Sequence, residues 1–148
     1  MKTEARSGSP VGMIRFPGSN CDFDCEFALK TCFNLNVTSI WHTQKDLPDI
    51  RGLILPGGFS YGDYLRGGHL ARLSPVMQAV EAFARKGGAI LGICNGFQVL
   101  TESRLLPGTL LPNEQGRFVC KVPRLQMESG NRSLMAKLLP SDQDLSIP

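Results

Sequence analysis

Long apolar runs are missing from these 148 residues. None approaches the ~20 residues that a membrane-spanning helix needs, so no bilayer role is expected. The first stretch, Met1 to Pro10, is polar and rich in small residues. It has no apolar centre of the kind a secretory signal carries, and it reads as a disordered lead-in. Charge of one sign is also scarce. With 16 basic and 13 acidic residues, the net charge is +3 and is dispersed along the chain. No basic run interleaves with aromatics, so nucleic acid is not an expected partner. There is no Gly-Lys-Ser/Thr phosphate loop, no internal repeat and no low-complexity tract. An odd count of 5 cysteines without a secretion signal points to reduced thiols and a cytoplasmic setting.

What is present is an ordinary globular composition, 42% hydrophobic and 20% charged, in a length that supports one domain with a sizeable core. Short apolar runs alternate with helical patterns, the signature of a mostly parallel α/β sheet. Strands are predicted over Val11–Phe16, Asn36–Trp41, Gly52–Leu55 and Ala89–Ile93. A helix capped by Asn20 or Asp22 should run to about Phe33. Ser74 at the N-cap and Pro75 behind it should open a second, which Gly87-Gly88 ends. A third is expected over Asn95–Ser103. Beyond Pro107-Gly108 the pattern blurs into one or two strands within Phe118–Met127, broken at Pro123, and a short helix over Arg132–Leu139. No domain boundary is evident, so residues 11–148 read as one domain.

The densest chemical signal is Gly92-Ile93-Cys94-Asn95-Gly96-Phe97-Gln98, directly after the apolar Ala89-Ile90-Leu91. This is the layout of a nucleophile elbow: buried strand, sharp turn bearing one nucleophile, then helix. Flanking glycines leave room for a backbone that larger residues would crowd. The turn places the Cys94 sulfur at a helix N-terminus, where unpaired N–H groups favour a thiolate. A thiolate is the attacking species in covalent acyl chemistry. The plainer alternative is a buried cysteine between packing glycines.

Other residues are read around that elbow. Pro56-Gly57-Gly58-Phe59 follows the third strand, which can neighbour the fourth. The N–H groups of Gly58 and Asn95 could then be the donors an oxyanion requires. The alternative is a tight turn that uses glycine for conformation only. Phe59 to Arg66 is long and aromatic for a connection, the kind of loop that often carries function. Its alternative is a surface loop with two rings packed down. His42 and His69 are the only histidines, and neither shows an acidic orienter in sequence. Cys21, Cys25 and Cys32 fall at i, i+4 and i+11, but a fourth metal ligand is not evident and no metal is expected. Arg15, Lys45 and Lys86 read as solvated.

Four stretches together are specific: Phe16-Pro17-Gly18-Ser19-Asn20-Cys21-Asp22, Trp41-His42-Thr43, Leu55 through Arg66, and Gly92 through Gln98. From about Val11 onward the chain resembles the glutaminase subunits of phosphoribosylformylglycinamidine synthases. These are class I, triad-type glutamine amidotransferases of purine biosynthesis. The resemblance implies a flavodoxin-like α/β fold. It implies that Cys94 attacks the side-chain amide of glutamine, releases ammonia and forms a glutamyl thioester that water hydrolyses. It makes Gly58 and Asn95 the oxyanion hole and Gln98 a residue that helps hold glutamine. It further implies a large synthetase subunit that uses ATP and Mg²⁺, with no cofactor in this chain, and a small bridging subunit. The Phe59–Arg66 loop is then a candidate contact with the synthetase.

Two departures stand out. His69 occupies a place where the resembled family usually has a small apolar residue. More consequentially, that family completes its triad with a His-x-Glu motif on a later strand, and no histidine follows Cys94 here. Both the His and the Glu are missing, so the chain is expected to be C-terminally truncated, with apolar surface and a strand edge uncovered. Without a positioned base, the rate should fall about 10²–10⁴-fold. Two rival readings differ in what they require of the residues. A PfpI-type peptidase or deglycase would put a histidine directly after the nucleophile, where Asn95 stands. A non-catalytic subunit that only docks on a synthetase would not need the base.

Overall fold

The computed structural model describes residues 9–125, 137 and 145–146. The chain clusters into two compact units, Met1–Leu110 and Leu111–Pro148, although no linker composition marks the join. The first unit carries four parallel strands: β1 (Val11–Arg15), β2 (Val37–Trp41), β3 (Gly52–Leu55) and β4 (Ala89–Gly92). Their order is β2-β1-β3-β4. The expected strands are all present, each within a residue of its predicted bounds. Three helices accompany them: α1 (Asp22–Thr31), α2 (Val76–Arg85) and α3 (Asn95–Glu102).

Pairing decides which side chains share a face. Gly12 lies beside Leu53 and Ile14 beside Ile40, so these residues and Leu55 look the same way. That face is closed by Val76, Met77 and Val80 of α2 and Val99 and Leu100 of α3, all buried. Each such aliphatic side chain contributes roughly 1.5–3 kcal/mol on burial. Met13 and Ile54 fill the opposite face. β4 ends the described sheet, and Leu91, Ile93 and Phe97 around it are partly exposed. The expected lead-in falls mostly on residues 1–8, outside the described residues. At its end, Ser9 Oγ donates to Asp49 Oδ2 at 2.6 Å and Arg51 N–H to the Pro10 carbonyl at 3.1 Å.

Helix starts depart from the expected caps. Cys21, not Asn20 or Asp22, is the N-cap of α1, and no side chain caps it. Asp22 is buried and turned to Arg15, 3.0 Å away. Arg15 is therefore not a solvated charge. It also pairs with Glu26 at 2.6 Å and covers the Phe23 ring at 4.6 Å. α1 stops at Thr31, two residues short of Phe33, because Asn34 takes a left-handed φ of 51°. Ser74 likewise does not cap α2. Its hydroxyl meets Tyr61 Oη at 2.9 Å, and the Val76 N–H is received by the His42 carbonyl at 3.1 Å.

The second unit contains β5 (Arg124–Leu125) paired antiparallel with β6 (Leu145–Ser146). Of the strands expected within Phe118–Met127, only Arg124–Leu125 is extended and paired, and 126–127 lie outside the described residues. The helix expected over 132–139 also lies outside them, except Lys137, which is helical.

Candidate active site

The β4–α3 junction is an elbow in backbone geometry as well as in sequence. Cys94 is the N-cap of α3, with φ 50° and ψ −109°. A non-glycine residue held there is strained by about 1–3 kcal/mol, and such strain concentrates at functional sites. Two contacts hold it. Ile93 N–H donates to the Leu55 carbonyl at 3.0 Å, tying the elbow to β3. Gly96 packs α3 against that same strand so closely that any Cβ would collide with the Leu55 carbonyl oxygen. Cys94 itself is exposed.

The loop after β3 lies beside the elbow, as the pairing of Leu55 with Gly92 requires. A Cβ at Gly57 would stand 3.4 Å from Cys94 Cβ and 3.5 Å from Cys21 Sγ. Two thiol side chains thus flank one glycine, a juxtaposition that a separation of 73 positions conceals in the sequence. Gly58 has φ +131°, and a Cβ there would meet Asn20 N at 2.7 Å, so the position demands glycine. The N–H groups of Gly58 and Asn95 have no hydrogen-bond partner among the described residues. Two unpaired donors beside a strained, exposed thiol can receive the oxygen of a carbonyl under attack.

Asn95 is buried, and its side chain joins elbow to loop. Its Oδ1 accepts the Ser60 N–H at 3.1 Å. Its Nδ2 donates to Asp63 Oδ1 at 2.8 Å and to Gln98 Oε1 at 2.9 Å. Gln98, half-buried, lies against Gly67. Its amide is thus already engaged inside the loop. In the loop, Tyr61 is the ring that packs down, while Phe59, Tyr64 and Leu65 are exposed. Tyr61, Asp63 and Leu65 all have positive φ.

The two histidines are tied up elsewhere. His42 follows β2, three strand spacings from β4, or about 14 Å. Its Nδ1 lies 2.7 Å from Tyr61 Oη, and burial pushes its pKa down. His69 does have an acidic partner, contrary to the sequence expectation: Glu102 Oε2, 3.0 Å from Nδ1. Arg66 grips the same carboxylate with two bonds of 2.8 Å. Those bonds hold the Glu102 carboxyl well down, at about 2, with the His69 contact adding to them. Glu102 closes α3, about 12 Å along the axis from Cys94. Burial, with Cys21 next, pushes the Cys25 thiol up. Among the described residues no group of three or more His, Cys, Asp or Glu could hold a metal ion. No helix there is long and apolar enough to cross a membrane.

A cysteine on a strained strand-to-helix turn, with the glycine-rich loop of the adjacent strand packed beside it, is an arrangement suited to covalent acyl chemistry. Residues 9–147 match the sequence model of the CobB/CobQ-like glutamine amidotransferase domain. The chain belongs to that family. Curated relatives agree in type. One is the phosphoribosylformylglycinamidine synthase subunit PurQ of Salinibacter ruber, 50% identical over 93% of this chain and 58% of its own length. Another is the same subunit of Thermus thermophilus, 49% identical over 92% of this chain and 59% of its own. A chain in the structure of PurLQS from Thermotoga maritima superposes with a TM-score of 0.78 at 37% identity. It covers 95% of this chain and 66% of its own. This amidotransferase chain thus spans about three fifths to two thirds of the length of these relatives. The α/β, flavodoxin-like expectation and the resemblance both hold.

Proposed function

We propose that this chain supplies the glutaminase centre of a phosphoribosylformylglycinamidine synthase. The observation that carries it is the strained Cys94 beside the unpaired N–H groups of Gly58 and Asn95. The Cys94 thiolate attacks the side-chain amide carbon of glutamine. The carbonyl oxygen becomes an oxyanion between the two N–H groups. The nitrogen takes a proton from water, the C–N bond breaks, ammonia leaves, and a glutamyl thioester remains on sulfur. Water then cleaves the thioester, so the sum is glutamine plus water to glutamate plus ammonia. Gln98, one turn into α3, helps hold the substrate glutamine in this reading.

The ammonia is proposed to pass to a large synthetase subunit that converts formylglycinamide ribonucleotide to the amidine. ATP and Mg²⁺ act on that subunit, and no residue of this chain is given a role toward them. A small bridging subunit and a cytoplasmic setting belong to the same reading, which rests on the names of the relatives. Among the described residues, neither histidine is placed to carry a proton for Cys94. His42 and His69 are engaged elsewhere, so the chain alone should turn over about 10²–10⁴-fold more slowly than a centre with a positioned base.

A glutamine-analogue electrophile tests the reading. The chain is treated with it, with and without a synthetase subunit, and the adduct is mapped by mass spectrometry. A single adduct on Cys94 is expected. Its absence while the complex still forms would instead favour a docking role.

A further inference from the structure

We propose that Asp63 is a positioning residue for this centre: through the Asn95 side-chain amide, its carboxylate holds the two oxyanion donors in register. The inference rests on the glutaminase reading and deepens it. The two donors lie on different segments. Gly58 belongs to the loop after β3, and Asn95 to the first turn of α3. The Ile93–Leu55 backbone bond joins those segments only ahead of Gly58. Beyond Gly58 the loop is tied by Phe59 N–H to the Gly18 carbonyl and Tyr61 N–H to the Pro17 carbonyl, which anchors it to the β1–α1 turn and not to the elbow. The polar link across to the elbow is the side chain of Asn95.

That side chain is 2% exposed, and its oxygen and both its N–H donors are engaged. An asparagine has one accepting oxygen and two N–H donors. The oxygen takes Ser60 N–H, two residues after Gly58, and the donors go to Asp63 and Gln98. A carboxylate can only accept, so Asp63 permits one orientation of the Asn95 amide, the one that turns Oδ1 toward Ser60. Its charge also strengthens that bond. Asp63 sits at φ 52°, a left-handed conformation that Asp tolerates better than most residues. An amide at position 63 could turn its own N–H groups toward Asn95 and release the constraint. Small displacements of a reacting group carry large rate penalties, to ~10²-fold for about 1 Å.

The test is the rate at which a chloroketone analogue of glutamine alkylates Cys94 in the full chain. Thiolate addition to its ketone passes through an oxyanion before sulfur displaces chloride, whereas iodoacetamide labels the same thiol, losing iodide, without one. Asp63→Asn should lower kinact three- to tenfold and Asp63→Ala at least tenfold, with KI and the iodoacetamide rate within twofold of the parent. If Asp63→Ala does not fold, the isosteric Asp63→Asn decides alone. An unchanged kinact for Asp63→Asn overturns the inference, as does a matching fall in the iodoacetamide rate. A parent chain that iodoacetamide labels at Cys94 but the glutamine analogue does not sinks the glutaminase reading itself, and this inference with it.

Discussion

Cys21 and Cys94 occupy equivalent places in two strand-to-helix turns. Each is the N-cap residue of the helix that follows a parallel strand, and the two flank Gly57. What separates them is the backbone and its neighbours. Cys21 is relaxed at φ −96°, while Cys94 is strained at φ 50°. α1 opens with Asp22 and Asp24, and α3 opens with no acidic residue. Two carboxylates at the head of a helix oppose an anion there; α3 leaves its N–H groups free to receive one. A helix N-terminus is thus common to the two cysteines, while backbone strain and a first turn clear of negative charge distinguish Cys94 from Cys21.

The contrast can be broken most directly at the sulfurs. Cys94→Ala should abolish labelling by a glutamine-analogue electrophile, while Cys21→Ala should leave its rate within threefold. A tenfold loss in Cys21→Ala would make the two thiols partners rather than a contrast. Mass spectrometry of the labelled chain decides it.

Packing behind each turn gives the next effect. Gly96, two residues after Cys94, cannot hold a Cβ, and Gly96→Ala should destabilise by on the order of 3 kcal/mol. Phe23, two residues after Cys21, stands 69% exposed under Arg15. Phe23→Ala should lose less than ~1 kcal/mol. Urea midpoints of the two variants would show whether the α3 junction is the tighter.

Electrostatics at the helix bodies should differ less. Glu102 has a folded pKa of about 2 against an ordinary 4.5, held down first by Arg66. A depressed carboxyl stabilises fully above its unfolded value, and that contribution is lost as pH falls through the folded one. With Arg66 half exposed, Glu102→Gln should cost about 1 kcal/mol at pH 7. The gap between variant and parent should close between pH 4.5 and about 2. Glu26, paired with Lys30 on the open side of α1, is also lowered, with Lys30 as the main cause. Glu26→Gln should cost only roughly 0.5 kcal/mol. Denaturation at stepped pH would rank the pair.

The strands and the elbow were legible in the chain because their signals are local. Apolar runs such as Gly52–Leu55, the turn glycines and the Gly92–Gln98 spacing need no distant partner to be recognised. The side-chain hydrogen bonds were not legible. Ser74 looked like a helix cap, yet its hydroxyl is taken by Tyr61, 13 positions earlier. Arg15 looked solvated, yet it is enclosed by Asp22, Glu26 and Phe23. His69 showed no acidic neighbour because Glu102 lies 33 positions away. A polar side chain takes whichever partner the fold brings near, and sequence order does not say which.

By itself, then, the sequence determined the parallel α/β class, the place of the elbow that carries Cys94 and the glycines around it. Those features follow from periodicity and backbone sterics over a few neighbouring residues. Only the tertiary structure decided that Asn95 and Asp63 clasp the loop of Gly58, that Cys21 shares Gly57 with Cys94, and that neither histidine faces the thiol. Those outcomes depend on strand order and sheet register, which juxtapose residues tens of positions apart.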